Sequence, residues 1–474
     1  MRRMIMFTLL VLCIHATQAQ QAWTLEKCIE HALTHNLQLK QQQLIARAAR
    51  ADVLQTKLSL LPGVTANASH AYNYGQTVDR YTNSFASSRV QSNNFYLQGG
   101  ITLFNGFQKI NTIRQSQLDL MATLEDAEKY ANDLSINIAT FYMQVLFYKE
   151  LVNIRTNQSG ITRQQMERMG KLVAAGTMAE GESYILEAQL AGEESSLVEA
   201  QNSLDLSLLT LTQLLDLPGT EGFDIVDPEL SVEGEPALTD DPSAIYEYAV
   251  NNMPQIKAAR LREQSGVKQL AIARGMQSPS LDLSGSWGTG YSGASLINDQ
   301  PFNLIEKTGF APVAPGDTLD VYTQYKAYTT KVKPFSDQIR DNNNRTIGLY
   351  LTIPIFNGWQ TQTAISKSKI ALENSRLEVD VQSLMLRKTI YQAWTDAKAS
   401  LKNYDAAVKK THATRESFRY AEQKFNVGIM NSVDYNNAKK ELANAESETL
   451  QSKYDFIFKS TVLDFYMGKP LTLK

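Results

Sequence analysis

The strongest constraint on this chain is that it repeats itself. Ala32, Leu39, Lys40 and Pro62 return 217 positions later as Ala249, Ile256, Lys257 and Pro279. Phe104, Asn105 and Gly106 return 252 positions later as Phe356, Asn357 and Gly358. The offset of 252 then holds without a gap, since Gly176 matches Gly428, Leu190 matches Leu442 and Pro218 matches Pro470. A gap-free repeat of that length imposes one architecture twice. The two offsets differ by 35, which places extra residues of the second copy between Pro279 and Phe356. Repeat 1 is assigned to residues 20–240 and repeat 2 to residues 241–474.

Residues 1–19 stand apart. Arg2 and Arg3 precede an apolar run from Met4 to Leu12, and Thr17-Gln18-Ala19 follows. A basic end, a short apolar core and small residues read as a secretory signal peptide cleaved after Ala19. Cys13 raises the alternative of a lipoprotein signal, against which stand the bulky Leu12 before it and its place inside the apolar core. Losing the segment removes two arginines and moves the net charge from −3 to −5, with no basic patch for nucleic acid. Cys28 then remains alone, so no internal disulfide forms.

Proline punctuates each copy. No proline lies between Pro62 and Pro218, or between Pro354 and Pro470, and both tracts are rich in helix formers. In each tract a glycine follows 70 residues after the glycine of Phe-Asn-Gly. The spacing predicts long helices over 107–175 and 359–427, each ~100 Å at 1.5 Å per residue. Gly176 and Gly428 suit a left-handed reversal. Return helices are expected over 177–215 and 429–467, followed in repeat 1 by an equatorial linker to residue 240. Helices of this length need a coiled-coil partner.

Ahead of each Phe-Asn-Gly the periodicity changes to two. Strands are expected at about 64–74 and 95–104 in repeat 1, and at about 280–291 and 345–356 in repeat 2, each alternating apolar with small or polar residues. Phe95, Leu97, Ile101 and Leu103 form one such apolar face. Strands of ~10 residues with one apolar and one polar face suit a transmembrane β-barrel. An ordinary sheet on a core is the other account, but the flanking helices are too polar to cover it. Residues 75–94 and 292–344 are read as loops joining the strand pairs. Four strands cannot close a barrel, and lipid tolerates no open edge. A cyclic homotrimer with twelve strands is the economical closure. The expected fold is therefore a mixed α and β membrane protein, in which a trimeric β-barrel continues into an α-helical periplasmic tunnel.

These features together resemble the TolC-like outer-membrane efflux protein family, over nearly the whole mature chain. Thr24-Leu25-Glu26 through Ala32-Leu33, Asn36 and Leu39 resemble the family's start. Pro62 and Pro279 resemble its helix-to-strand corners. Phe104-Asn105-Gly106-Phe107 and Phe356-Asn357-Gly358-Trp359 resemble its strand-to-helix re-entry. Ala175-Gly176 and Val427-Gly428 resemble its periplasmic hairpin tips. The resemblance implies a passive exit duct in the outer membrane, serving drug efflux or type I secretion, docked to a periplasmic adaptor and an inner-membrane pump. It implies no cofactor.

The resemblance also directs attention to the tips. Six residues beyond each turn glycine lies an acid, Glu182 in repeat 1 and Asp434 in repeat 2. An acid at Asp434's position lines the family's closed tunnel mouth, so three copies would form a gating ring that attracts cations. The family's next acid, three residues on, is Asn437 here, which weakens such a ring. The plainer account makes both acids first-turn residues favoured by the helix dipole. Arg168 or Lys171 on one side and Arg419 or Lys424 on the other are candidate latches. Gly176, Thr177, Met178, Gly428, Ile429 and Met430 are candidate adaptor contacts, with self-packing of the hairpins as the alternative. Tyr72, Tyr74, Phe95, Trp287 and Tyr291 are candidates for an interfacial aromatic belt against outer-membrane lipid.

No nucleophile–base pair, phosphate loop or carboxylate pair supports an enzyme. His31 and His35 sit one helical turn apart but lack a third ligand, so no metal site is assigned. The rival to a membrane duct is a periplasmic coiled-coil scaffold that never inserts, and a secreted hydrolase stands further off.

Overall fold

This computed structural model describes residues 22–86, 89–228 and 241–472. The signal peptide and the end of the linker lie outside the described residues. Repeat 1 contains α1 (Leu25–His35), α2 (Leu37–Leu58), β1 (Gly63–Asn73), β2 (Thr77–Val78), β3 (Phe85–Ala86), β4 (Val90–Asn105), α3 (Gln108–Ala174) and α4 (Glu180–Leu214). Repeat 2 contains α5 (Pro242–Asn252), α6 (Pro254–Gly275), β5 (Ser280–Ser292), β6 (Leu296–Ala314), β7 (Asp317–Val332), α7 (Phe335–Asp341), β8 (Asn344–Thr352), α8 (Gln360–Asn426) and α9 (Ser432–Tyr466). The chain divides into two units. One takes Met1–Ala51, Gln117–Gly266 and Ala371–Lys474, and the other Asp52–Ser116 and Val267–Ile370.

The first unit is helical, and its local signals are capping residues. Thr24 accepts a hydrogen bond from the Lys27 N–H at the start of α1. Asn36 accepts one from the Leu39 N–H and opens α2. Asp241 caps α5, with Pro242 just inside the helix, where its missing N–H costs nothing. The repeat is written in the burial as well. Cys28, Ala32 and Leu39 are buried, and so are their counterparts Ile245, Ala249 and Ile256. α1 packs on Leu134, Ile138, Tyr142 and Leu146 of α3, with Leu211 of α4 and Leu450 and Tyr454 of α9. α5 packs on Leu386, Ile390 and Ala397 of α8, with Leu463 of α9. The Tyr142 hydroxyl donates toward the carbonyls of Trp23 and Val226. Cys28 is fully buried, and burial pushes its thiol up to about 12, which keeps it unreactive.

The second unit is built on a four-stranded antiparallel sheet in the order β1-β4-β5-β8. Register puts Val64, Leu97, Ile101, Leu283, Trp287, Ile347 and Leu349 on one face, and Thr65, Asn67, Gln98, Ser284 and Ser286 on the other. The apolar face is left open, with Ile347 80% and Val64 67% exposed.

The boundaries differ from expectation in ways with physical causes. β4 begins at Val90, not near residue 95, because pairing with β1 continues to Asn73. A bulge between Thr102 and Phe104 ejects Leu103 from the pairing, and Phe104 takes the apolar position opposite Leu281. β8 stops at Thr352, short of the expected 356, since Pro354 has no N–H for a ladder. The expected loop at 292–344 instead holds a long ribbon, β6–β7, and the short helix α7. Within 75–94 a small β2–β3 pair forms.

The return to helix uses two successive left-handed residues in both copies. Gly106 has φ 65° and Phe107 60°, and Gly358 has 63° and Trp359 68°. Glycine at the first position relieves the strain, while Phe107 and Trp359 bear it. A Cβ on Gly106 would also strike the Gly275 carbonyl and the Ser278 side chain, whereas Gly358 faces open space.

Candidate functional site at the helical hairpin tips

The two tips lie in the helical unit and end α3 and α8 in the same way. The Gly176 N–H donates to Val173 O and the Thr177 N–H to Leu172 O. The Gly428 N–H donates to Phe425 O and the Ile429 N–H to Lys424 O. These bonds satisfy carbonyls that a helix end leaves free, and they need the positive φ of 70° at Gly176 and 79° at Gly428. The return helices start at Glu180 and Ser432, three residues later than expected, because Thr177–Ala179 and Ile429–Asn431 make the reversal.

The acids differ between the tips. Asp434 stands in the first turn of α9. Its N–H donates to Asn431 Oδ1 at 2.8 Å, and its carboxylate accepts from Asn431 Nδ2 at 2.9 Å. Within one chain, then, Asp434 is half of a reciprocal cap. The N-cap of α4 is Ala179, which gives no side-chain cap. Glu182 places Oε2 in a buried position with no hydrogen-bond partner among the described residues. Asn437 is exposed and lines a cleft of about 440 Å³ with Gln189, Glu193 and Lys440.

A second cleft, of about 570 Å³, separates the hairpins nearer the turns. Met178 and Met430 both line it, as does Glu182. Thr177 bonds its own helix end through Oγ1, and Ile429 is 78% exposed. Gln165 Oε1 and Ser432 Oγ are likewise buried without partners around this cleft. Buried oxygens of this kind take hydrogen bonds from water or from a neighbouring chain.

Toward the tips, polar links cross between the hairpins. Arg168 Nη1 donates to Asn426 Oδ1 at 3.3 Å, so this arginine bridges, although to an amide. Arg419 pairs within its own helix with Glu416. Gln165 Nε2 donates to the Tyr435 hydroxyl at 2.6 Å, and the Tyr435 ring stacks on Phe425 at 4.5 Å. Deeper in the seam, Lys439 Nζ donates to the Gln158 carbonyl, to Thr162 Oγ1 and to Glu193 Oε1. Both ends of that ion pair are buried, and burial lowers the lysine pKa against the opposing pull of Glu193. Sequence reasoning missed Tyr435, Lys439, Glu193 and Gln165. No spacing rule marks a lysine that turns inward, and only the glutamate on a different helix explains it.

Other candidates are placed as follows. His31 and His35 stack face to face at 4.2 Å, and among the described residues no group of three or more His, Cys, Asp or Glu is placed to hold a metal. Phe95 and Tyr291 meet Phe335 of α7, whereas Tyr74 is 74% exposed. No described helix is long and apolar enough to cross a membrane.

Comparison with known proteins assigns the fold. A family model described as outer membrane efflux protein matches residues 28–216 and 245–469, one segment in each repeat. The chain is 21% identical to the outer membrane efflux protein BepC of Brucella suis, over 94% of this chain and 85% of that one. It is 21% identical to the outer membrane protein TolC of Escherichia coli, over 94% and 83%. The crystal structure of the outer membrane protein VceC of Vibrio cholerae superposes with a TM-score of 0.72 at 16% identity, over 94% of this chain and 96% of that one. With the family model spanning both repeats, this chain belongs to the outer membrane efflux protein family, and its place is the outer membrane.

Proposed function

We propose that three copies of this chain form a passive exit duct across the outer membrane, opened and closed at the helical tips, that serves a periplasmic adaptor and an inner-membrane pump in efflux or type I secretion. The observation that carries this reading is the sheet β1-β4-β5-β8. Among the described residues, both its edges, β1 and β8, lack a partner strand, and its apolar face is uncovered. In lipid, unpaired edges are forbidden and an apolar outer face is required. Twelve strands from three copies close the barrel with lipid outside and the polar face lining the lumen.

The helices point to the same assembly. Ile370, Leu377 and Leu384 of α8 lie seven residues apart and are 63%, 62% and 68% exposed. Leu37, Leu44 and Leu58 of α2 fall on one heptad line and are exposed too. An uncovered heptad stripe is the surface a coiled-coil neighbour covers. The duct needs no chemistry of its own, because the pump selects the cargo.

Purified protein reconstituted in a planar bilayer should size as a trimer and conduct ions. A monomer that fractionates with soluble periplasmic protein would instead fit the scaffold reading. For the gate, Asp434→Ala should raise conductance or reduce cation preference. If neither changes, Asp434 is only the helix cap seen within one chain, and the duct stands without that gate.

A further inference from the structure

The two connections at the end of the sheet away from the helices take opposite faces. The longer one sets α7 toward the apolar face, where Phe335 meets Phe95 and Tyr291. The shorter one folds the other way. Register puts Ser92, Asn94, Gly290 and Ser292 on the polar face, in line with Gln98, Ser284 and Ser286. The turn Asp79–Ser84 lies on those residues. The Tyr81 hydroxyl donates to Asn94 Oδ1 at 2.7 Å, and a Cβ on Gly290 would strike the same hydroxyl. The Ser292 hydroxyl donates to Asp79. Val90, at the end of the polar face, is buried.

The turn is built to stay there. Burying a carboxylate is costly unless hydrogen bonds surround it. Asp79 is 6% exposed. Besides the Ser292 hydroxyl it accepts from the Tyr81 N–H at 3.0 Å, the Thr82 N–H at 2.9 Å and the Thr82 hydroxyl at 3.0 Å. Bonds to an ionised acceptor are the strong kind. The seat on β5 is fixed in its turn. The Ser292 N–H donates to Gln338 Oε1 at 2.8 Å, and Gln338 Nε2 donates to the carbonyls of Ser292 and Lys333. Asn342 Nδ2 donates to the Gly290 carbonyl at 2.7 Å. Asp79 and Tyr81 thus both anchor to the sheet, and Arg80 between them is exposed.

We propose that three copies of this turn narrow the outer end of the duct, and that Arg80 is the charge a solute meets there. This rests on the trimer reading above, in which the polar face lines the lumen. Twelve strands at ~4.8 Å spacing and ~40° tilt give a barrel ~24 Å across. Backbone laid over a sheet stands up to ~10 Å from it, which takes up much of the ~12 Å radius. Three guanidinium groups drawn toward one axis make a ring of fixed positive charge, and such a ring in a pore favours anions. The mouth then opposes in sign the Asp434 ring of the gate reading.

The test uses full-length trimer from outer membranes. Native Cys28 is buried and does not compete. Equivalent points on the barrel wall stand ~21 Å apart in a trimer, and points halfway to the axis ~10 Å apart. With a short bis-maleimide, Arg80→Cys should therefore give covalent dimers and trimers on a denaturing gel. Tyr72→Cys, on the lipid-facing side, should stay monomeric. In a planar bilayer under a potassium chloride gradient, Arg80→Glu should shift the reversal potential toward potassium. Arg80→Lys should leave it in place, and so should Arg345→Glu on the lipid-facing side. A persisting trimer with no cross-linking at Arg80→Cys, equal cross-linking at Tyr72→Cys, or a reversal potential that Arg80→Glu does not move would overturn the constriction. A monomeric wild type would overturn the duct reading, and the constriction with it.

Discussion

The two hairpins share one geometry and are held in place by different means. α3 and α8 each have 67 residues, and α4 and α9 each have 35. Yet at matched positions the first copy buries Val145 and Met169 where the second buries Ala397 and Ala421. Beyond Ile390, the other residues that α8 buries are Ser400, Ala407 and Thr411. Stabilisation from burial scales with apolar area at about 25 cal/mol per Å². The first hairpin is therefore fastened by bulk, and α8 lies against it more lightly. α9 grips the first hairpin near its tip through polar groups, Tyr435 on Gln165 and Lys439 on Glu193. Repetition has fixed length and turn, while attachment has been left free to diverge.

Three sets of changes probe that contrast. The largest effect belongs to the buried pair. Lys439→Ala strands Glu193 without its cation, which should cost about 3–5 kcal/mol in unfolding, whereas Lys439→Met with Glu193→Leu should recover most of the loss. A single variant as stable as wild type would show that the polar grip holds nothing. Next come the matched core positions. Met169→Ala should lower stability by about 2–5 kcal/mol through a cavity. Ala421→Met should lower it by about 1–3 kcal/mol through overpacking. Urea midpoints compare the two, and a stabilising Ala421→Met would mean that α8 is underfilled and not close-fitted. The smallest effect is at the caps. Asn431→Ala should cost about 1 kcal/mol, and Ala179→Asn should gain a similar amount. Amide exchange in the first turns of α4 and α9 reads this directly, and equal protection in the wild type would erase the asymmetry.

What the sequence made legible is uneven for physical reasons. Helix length, turn glycines and the strand-to-helix return are local and repeated, so the chain states them twice. The apolar alternation of β5 was plain because each residue keeps its side of the sheet. The ribbon reads as a loop in sequence because Pro301, Pro312, Pro315 and Gly316 punctuate it and three bulges in β6 break its period. Alternation alone places Leu103 with Ile101 for the same reason, since it does not show the bulge after Thr102, and one extra residue in a strand reverses every assignment after it. At the tips, the acids were visible and their partners were not. That Asn431 engages Asp434 is a matter of three residues, but Lys439 meets Glu193 across 246 positions and across helices, beyond any local pattern.

The equal helix lengths carry a consequence for descent. One residue added to α3 would advance its tip by about 1.5 Å and turn it by ~100°, taking its seam out of phase with α9. The same addition in α4 would be needed to bring the returning chain home, and matching additions in α8 and α9 to keep the tips level. Change in this part of the chain must therefore come in coordinated sets, in steps near whole heptads. The ribbon is under no such rule, because an insertion at the Gly316 turn, where a Cβ added to the glycine would meet nothing within 4 Å, shifts no other element. Lineages of such chains should then differ freely in ribbon length and hardly at all in helix length, so the hairpins act as the clock's fixed gear and the ribbon as its variable hand.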